Sequence, residues 1–356
     1  MNSFSMFSDK QNENEIRKKL VDFKGTFVFH TEVMENWEKL KQLYHYGAMP
    51  GGSTQVTLTG PSRTGKSELL SVFTEEMNRE YGDSFTSGVV PDVQFKSVPV
   101  LYVETPSKAT LKTLASATLT ELLGHHVSTR ESEASLVSRV RKALNYHKTR
   151  VLIFDEFQHL TNHGQLHSRS GHSPAADFIK TLLNSGETSI VLAGMPEVRG
   201  VVKGDKQVLN RGWQNLTLDR FRLGSKKSHQ RFVNCLKDFE DSVPLPNRYE
   251  FSTPEMAIRL HYATDGLIGL VSQLLRISIQ KALEQGQDSL SYELIAYVYR
   301  EQMWAEGKED PFSCDKEKLK NLFNSSIPDN FNDDDGSGKN KRKAPKSLSE
   351  FRAGIY

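Results

Sequence analysis

The sequence predicts an α/β fold, in which a five-stranded, mostly parallel sheet is flanked by helices and followed by a smaller all-helical unit. Three observations support this prediction. Short apolar runs alternate with stretches of helical periodicity, which is the pattern of a parallel sheet with crossover helices. One of these runs leads into a loop flanked by glycines, and another ends in two adjacent carboxylates. After about residue 225, only helical periodicity remains.

The first strand leads into a phosphate-binding loop. Residues 55–70 (QVTLTGPSRTGKSELL) combine a short β-run, the pattern G-x-x-x-x-G-K-S and the start of an apolar-periodic helix. Glycines in such a loop let backbone N–H groups face phosphates, and the helix N-terminus adds a favourable dipole. Lys66 is predicted to bind the β- and γ-phosphates, and Ser67 to ligate Mg²⁺. The predicted ATP-binding residues are Gly60, Pro61, Ser62, Arg63, Thr64, Gly65, Lys66, Ser67 and Glu68.

Length and composition indicate an ordinary globular protein. The chain has 356 residues, of which 37% are hydrophobic and 25% charged, and this length suggests two domains. A formal net charge of only +2 means that any nucleic-acid site must be a local patch. The two cysteines lie far apart, which favours a reducing compartment over a disulfide framework. Residues 1–15 lack the apolar core of a signal peptide, and no apolar run could span a bilayer, so we expect a soluble, intracellular protein with no membrane partner.

The segment before the loop contains one helix, predicted over residues 31–46 with Thr31 as its N-cap. Two interpretations stay open. The helix could simply pack on the domain core, or the stretch from Phe27 to Val33 could cover the adenine of a bound nucleotide.

A second buried strand is predicted over residues 98–104, followed by helices over about 107–124 and 128–147. Lys108 and Lys112 lie four residues apart on the first of these helices, so they are expected to project from one face. They could contact DNA phosphates, or they could belong to an ordinary solvated helix face.

The run Arg150-Val-Leu-Ile-Phe-Asp155-Glu156 has the pattern of a Walker B strand. A buried parallel strand would carry Asp155 to the phosphate site, where it could hold Mg²⁺. Glu156 would then orient and deprotonate the attacking water. The chain between Lys66 and Asp155 has room for one further strand and two or three helices, which is typical of the additional-strand class of P-loop ATPases.

Two further strands are predicted, over residues 188–194 and 215–218, with a helix over 174–184 before them. The tip of the first strand, at Ala193 to Met195, carries no polar side chain, although this position often holds a γ-phosphate sensor. An arginine just before the last strand is where ring ATPases present a finger to a neighbour's nucleotide. Arg211 is our first candidate for this role, with Arg220 or Arg222 in reserve, and an ordinary surface arginine is the alternative.

The remaining chain is predicted to be helical, then polar. Helices are expected over residues 227–241, 254–262, 267–285 and 291–304, and a flexible linker and basic stretch follow beyond about residue 324. We therefore predict an N-terminal extension (1–24), an α/β ATPase domain (25–224), a helical lid (225–308) and a flexible basic C-terminal tail (309–356).

Five segments together resemble the TnsC/TniB family of transposition regulators, which are AAA+ ATPases: GPSRTGKSELL, VLIFDEFQHL, SIVLAGMPEV, VLNR and TDGLIGLVSQLL. The resemblance covers about residues 25–305. It implies a P-loop AAA+ module with a helical lid, ATP and Mg²⁺ as cofactors, ATP binding by residues 60–67 and catalysis by Asp155 and Glu156, with Arg211 acting in trans.

The resemblance also implies a bacterial, nucleoid-associated protein that forms a ring or helical homo-oligomer on double-stranded DNA. It would link a target-selector protein to the transposase. Two other hypotheses stay open, namely a AAA+ helicase loader or DNA-replication ATPase, and a stress or signalling NTPase that binds no DNA.

Overall fold

The fold is given by a computed structural model, which describes residues 14–21, 23, 30–47, 49, 52–86, 94–160, 174–184, 188–200, 214–305, 309–315, 317–319 and 321. Its core is a five-stranded sheet in which every pair of neighbouring strands is parallel. Across the sheet, the strands lie in the order 100–104, 151–155, 189–194, 55–59 and 214–217. This confirms the predicted α/β fold and all five predicted strands. The strands are β1 (Gln55–Thr59), β4 (Val100–Glu104), β5 (Val151–Asp155), β6 (Ser189–Gly194) and β7 (Gln214–Thr217).

The three central strands are fully buried, as expected for a parallel sheet with both faces covered. Every residue of β1, β5 and β6 is buried. This unit covers residues 35–219, so it takes in α2 (Thr31–Gly47) from Glu35 onward. Its other helices are α3 (Lys66–Tyr81), α4 (Leu111–Leu123), α5 (Glu133–Tyr146) and α6 (Pro174–Leu183). The carboxyl ends of parallel strands lie at one edge of the sheet, so the loop after β1 and the acids ending β5 share that edge.

Helix α2 is a packing helix. Trp37 is fully buried and its ring lies edge-on to Phe73 of α3, with 5.4 Å between the centroids. Leu40 and Tyr44 continue the same buried face. This agrees with the first of the two interpretations of this segment. The adenine-covering alternative concerns the stretch from Phe27 to Val33, of which residues 27–29 lie outside the described residues.

A short antiparallel hairpin, for which the sequence analysis made no assignment, joins β2 (Ser84–Thr86) to β3 (Gln94–Lys96). Each strand has only three residues, so the polar–apolar–polar alternation is too short to be recognised from the sequence.

Helix α4 corrects the prediction about Lys108 and Lys112. The helix begins at Leu111, because Thr110 and Thr113 form a reciprocal capping box. Lys108 lies before the helix in a turn with φ of 58°. The two lysines therefore do not share a helical face, although both follow the carboxyl end of β4.

The second unit is built from helices and includes the described residues before Glu35 and after Asp219. Its helices pack around one apolar core that contains Phe232, Leu236, Leu260, Leu275 and Ile295. The helices are α1 (residues 14–21), α7 (Lys226–Ser242), α8 (Pro254–Thr264), α9 (Ile268–Glu284) and α10 (Tyr292–Gln302).

The helical unit continues past residue 308, whereas the sequence predicted a flexible tail over residues 309–356. Phe312 is only 4% exposed and belongs to the apolar core. The guanidinium of Arg259 donates hydrogen bonds to the carbonyl oxygens of Pro311 and Cys314. A buried aromatic ring and a buried cation fix residues 309–315 on this unit, so the tail prediction was wrong for this stretch. Within the described part of the chain, no helix combines the length and apolar character needed to cross a bilayer.

Candidate nucleotide site

The loop between β1 and α3 is tightly curled, and glycine at position 60 is required by close packing. A Cβ at Gly60 would lie 1.9 Å from the carbonyl oxygen of Leu218. The loop closes on itself through a hydrogen bond of 3.0 Å from the Thr64 hydroxyl to the Pro61 carbonyl. Gly65 enters the helix with φ of 91°. The predicted loop residues thus form one compact turn at the N-terminus of α3, with backbone N–H groups gathered at the helix end.

Lys66 folds over this turn. Its side-chain nitrogen donates to the carbonyl oxygens of Gly60 and Pro61, at 3.0 and 2.6 Å, and the residue is only 5% exposed. Burial lowers the pKa of Lys66, and the charges of Glu156 and Asp155 partly oppose this shift. The two acids are therefore close enough to act on Lys66 electrostatically, so the structure brings the glycine-flanked loop and the acidic strand end together.

Tyr102, which the sequence analysis did not single out, lies between Asp155 and Ser67. Its hydroxyl donates a hydrogen bond of 2.7 Å to Asp155 Oδ2 and also bonds to the Ser67 side chain. Burial, and next the bond to Asp155, raise the pKa of Tyr102. Because one hydroxyl reaches both residues, the two predicted Mg²⁺ ligands lie side by side. The sequence signal was a tyrosine within the apolar run VLYVE on the strand next to β5.

The donor set here suits Mg²⁺. Asp155 is only 1% exposed, and its Oδ1 accepts the backbone N–H of Glu156 at 2.8 Å. A carboxylate and an aliphatic hydroxyl are hard oxygen ligands of the kind Mg²⁺ prefers, and Mg²⁺ takes few protein ligands when phosphates supply the rest. Ser67 and Asp155 therefore fit the ion that the sequence predicted.

Glu156 has an unusual backbone. Its φ of 51° lies in the left-handed region, which costs free energy for a residue with a side chain. Its carboxylate accepts a hydrogen bond from the side-chain amide of Gln158, which is itself buried. Such strain persists where the surrounding contacts hold it in place, and it is frequent at functional sites.

The structure describes two of the three arginines that were candidates for a trans-acting finger. Arg211 lies outside the described residues. Arg220 forms an ion pair with Asp265, and Arg222 is exposed. Arg199, which the sequence analysis did not consider, donates from Nε to the Thr59 hydroxyl at 2.8 Å. Because Thr59 directly precedes Gly60, Arg199 adds a cation beside the loop.

Lys108 is exposed and Lys112 is half-buried. Both lie just beyond the carboxyl end of β4, hence near the edge of the sheet that carries the loop and the acids.

A parallel five-stranded sheet with this loop and these acids, together with a separate helical unit, defines a P-loop AAA+ module. Residues 23–223 match a family model described as "TniB: Bacterial TniB protein". The match spans more than half of the chain, so the chain belongs to the TniB family, which makes it a transposition-related AAA+ protein. No curated protein sequence matches it.

Solved structures show the same fold at low sequence identity. The Aeropyrum pernix ORC2 protein, determined as ADPNP–ADP complexes, is 18% identical with a TM-score of 0.52, covering 75% of this chain and 67% of its own. Cdc6p from Pyrobaculum aerophilum is 13% identical with a TM-score of 0.56, covering 80% and 71%. The Aeropyrum pernix ORC1 protein, in complex with DNA, is 14% identical with a TM-score of 0.52, covering 80% and 69%.

Proposed function

We propose that this protein is an ATP-dependent, DNA-binding regulator of transposition, which oligomerises on double-stranded DNA and links target selection to the transposase. The observation that carries the proposal is the meeting of Lys66, Ser67, Asp155 and Glu156 at one edge of the sheet. Membership of the TniB family supplies the biological setting.

ATP binding would use the loop from Gly60 to Glu68. Backbone N–H groups at the start of α3 would receive the phosphates, and the helix dipole would favour their negative charge. Lys66 would exchange the carbonyl oxygens of Gly60 and Pro61 for oxygens of the β- and γ-phosphates. Phosphate oxygens would replace both carbonyl bonds, so the buried ammonium group would remain hydrogen-bonded when ATP is bound.

Hydrolysis would depend on the two acids. Ser67 and Asp155 would hold Mg²⁺, which supplies charge neutralisation at the phosphates when bound. Glu156 would orient the attacking water and accept its proton, and its backbone is fixed by the Asp155 carboxylate. Arg211 of a neighbouring subunit is proposed to stabilise the developing charge in trans.

Assembly on DNA would depend on contacts between neighbouring subunits. If a neighbour's arginine completes each site, the γ-phosphate contributes to subunit contacts, and hydrolysis weakens them. Lys108 and Lys112 are proposed to contact DNA phosphates, and the positively charged, exposed turn at Lys108 supports this role. The transposase and a target selector are the proposed protein partners.

A second candidate function is a AAA+ helicase loader or DNA-replication ATPase. The observation that favours it is the fold shared with the archaeal ORC and Cdc6 proteins. Its nucleotide site would work in the same way, but assembly would depend on a helicase rather than on DNA.

Three variants test the proposal. Lys66→Ala should weaken ATP binding by roughly 10- to 100-fold, because a charge-assisted contact to phosphate is lost. Glu156→Gln should bind ATP but lower hydrolysis by roughly 100- to 10,000-fold, trapping assembled protein. Lys142→Ala, on an exposed face of α5, is the matched control.

The measurements are ATP turnover with and without duplex DNA, and electron microscopy of protein mixed with duplex and ATP. DNA-stimulated turnover and ATP-dependent filaments support the first function. Assembly that requires a helicase and ignores DNA supports the second. Loss of assembly in Glu156→Gln would contradict the role given to this glutamate.

A further inference from the structure

Gln158 forms a bridge between the catalytic strand and the strand beside it. It is only 6% exposed and lies in the single helical turn Gln158–Leu160 that follows β5. Its amide nitrogen donates to the Glu156 carboxylate. Its amide oxygen accepts the backbone N–H of Met195, just beyond β6, at 3.1 Å. One amide group therefore uses both of its ends, with a donor to a charged oxygen and an acceptor for a backbone N–H.

The end of β6 is shaped to admit this amide. Gly194 has φ of 153°, and a Cβ at this position would lie 2.1 Å from the Gln158 side-chain oxygen. The backbone beside the bridge is tied down as well, because the Phe157 N–H donates to the Ala193 carbonyl at 2.9 Å. Glycine at 194 thus creates the space in which Gln158 reaches Met195.

The bridge lies at the tip of β6, a position that often holds a γ-phosphate sensor. The residues there, Ala193 to Met195, carry no polar side chain, and Gln158 contacts the backbone N–H of Met195. The segment that follows also touches the nucleotide loop, because Arg199 donates to Thr59 at 2.8 Å. The stretch from Met195 to Arg199 is therefore bonded to Gln158 at one end and to the residue before Gly60 at the other.

We infer that Gln158 is a positioning residue, which holds the Glu156 carboxylate for catalysis and couples it to the tip of β6. This inference rests on the proposed ATPase function. A displacement of the segment from Met195 to Arg199 would pass through the amide to Glu156. In this way a backbone N–H and a glutamine together take the place of a side-chain sensor.

The first test replaces Gln158 with methionine, which has a similar volume and no hydrogen bond. We expect kcat for ATP hydrolysis to fall by roughly 10- to 100-fold, because a hydrogen bond to a charged group is lost. The KM for ATP and the affinity for ADP should stay within about twofold, because the phosphate loop is unchanged. An unchanged or increased kcat in a folded variant would overturn the inference.

Two further variants separate positioning from packing. Gln158→Glu keeps an acceptor for Met195 but cannot donate to Glu156 while both are ionised, so it should lower kcat as much as Gln158→Met. Gly194→Ala keeps the glutamine but places a methyl group against its oxygen, and it too should lower kcat without changing the affinity for ADP. These variants keep the inference testable if Gln158→Met does not fold.

Epistasis gives the decisive readout. In a Glu156→Gln background, Gln158→Met should change the remaining turnover by less than about twofold, because the carboxylate it positions is gone. A further loss as large as in the wild-type background would show that Gln158 acts elsewhere, and would overturn the inference. A third outcome separates this inference from the proposed function. If the wild-type protein hydrolyses ATP and Lys66→Ala lowers that activity, but Gln158→Met has no effect, the inference is rejected and the proposed function stands.

Discussion

Buried polar groups have different partners in the two units of the molecule. At the nucleotide site, Tyr102 donates to Asp155 and Gln158 donates to Glu156, so buried side chains there bond to one another as well as to the backbone. In the helical unit, Arg259 bonds to the carbonyl oxygens of Pro311 and Cys314. The network at the strand edge includes the side chains proposed to bind nucleotide, whereas Arg259 holds the stretch with Pro311 and Cys314 on the helical unit. We therefore expect substitutions in the first region to affect activity, and those in the second to affect stability.

The largest expected effect tests the first half of this contrast. Asp155→Asn keeps the size of the side chain and can still accept one of its two hydrogen bonds, so the fold should survive. Hydrolysis should fall by at least about 100-fold, because the proposed Mg²⁺ ligand loses its charge. ATP turnover and thermal unfolding measured on the same preparation check this. A collapse of Tm with no folded protein left would instead give Asp155 a structural role.

Arg259→Met tests the other half. The guanidinium is buried and holds two carbonyl oxygens and Glu255, so its removal should lower the free energy of unfolding by about 2–4 kcal/mol. Denaturant unfolding checks this, with Lys237→Met, on an exposed position of α7, as the control. The ADP affinity of the folded variant should stay within about twofold. A large loss of ADP affinity would erase the distinction between the two regions.

Tyr102→Phe sharpens the contrast within the nucleotide site. The ring and its packing are kept, but the hydroxyl that joins Asp155 to Ser67 is removed. We expect the Mg²⁺ concentration for half-maximal turnover to rise by about 10-fold, with little change in kcat at saturating Mg²⁺. Titration of turnover against Mg²⁺ measures this. An unchanged titration curve would mean that the tyrosine does not orient the proposed ligands.

The last prediction concerns the pH dependence of stability in the helical unit. Burial, and next the charge of Arg231, lower the pKa of His30 from 6.5 to about 4. The unfolded chain therefore binds a proton between pH 6.5 and 4 that the folded chain does not, so stability should decrease as the pH falls through this range. Urea unfolding at several pH values checks this, and His30→Gln should flatten that part of the profile. An equally steep profile in the variant would assign the effect to other groups.

The sequence predicted the parts of this protein that are local in the chain. Buried parallel strands are nearly continuous apolar runs, so β5 and β6 were recognisable, as was the glycine-flanked loop. Tyr102 and Gln158 were not predicted as site residues, because their importance depends on which strands are neighbours. The register that sets Glu104 beside Asp155 is not encoded in either segment alone.

The sequence also predicted the ends of two segments incorrectly. Periodicity extended the helix after β4 back to residue 107, whereas the capping box at Thr110 decides where it begins. The flexible tail was predicted to begin at residue 309, but the buried ring of Phe312 and the Arg259 hydrogen bonds hold residues 309–315 on the helical unit. Single contacts of this kind outweigh composition over short stretches.

The edge strand β7 has a consequence for a protein that is proposed to self-associate. It is four residues long, and three of its side chains are polar and exposed to solvent. The side-chain amide of Asn36 donates a hydrogen bond of 2.8 Å to the Thr217 carbonyl oxygen. Short, polar, partly covered edges resist extension of a sheet by another chain, which is the route to amyloid-like aggregation. If copies assemble on a duplex as proposed, β7 would not favour pairing between the sheets of neighbouring copies. Their contacts would then involve other surfaces, such as the nucleotide site.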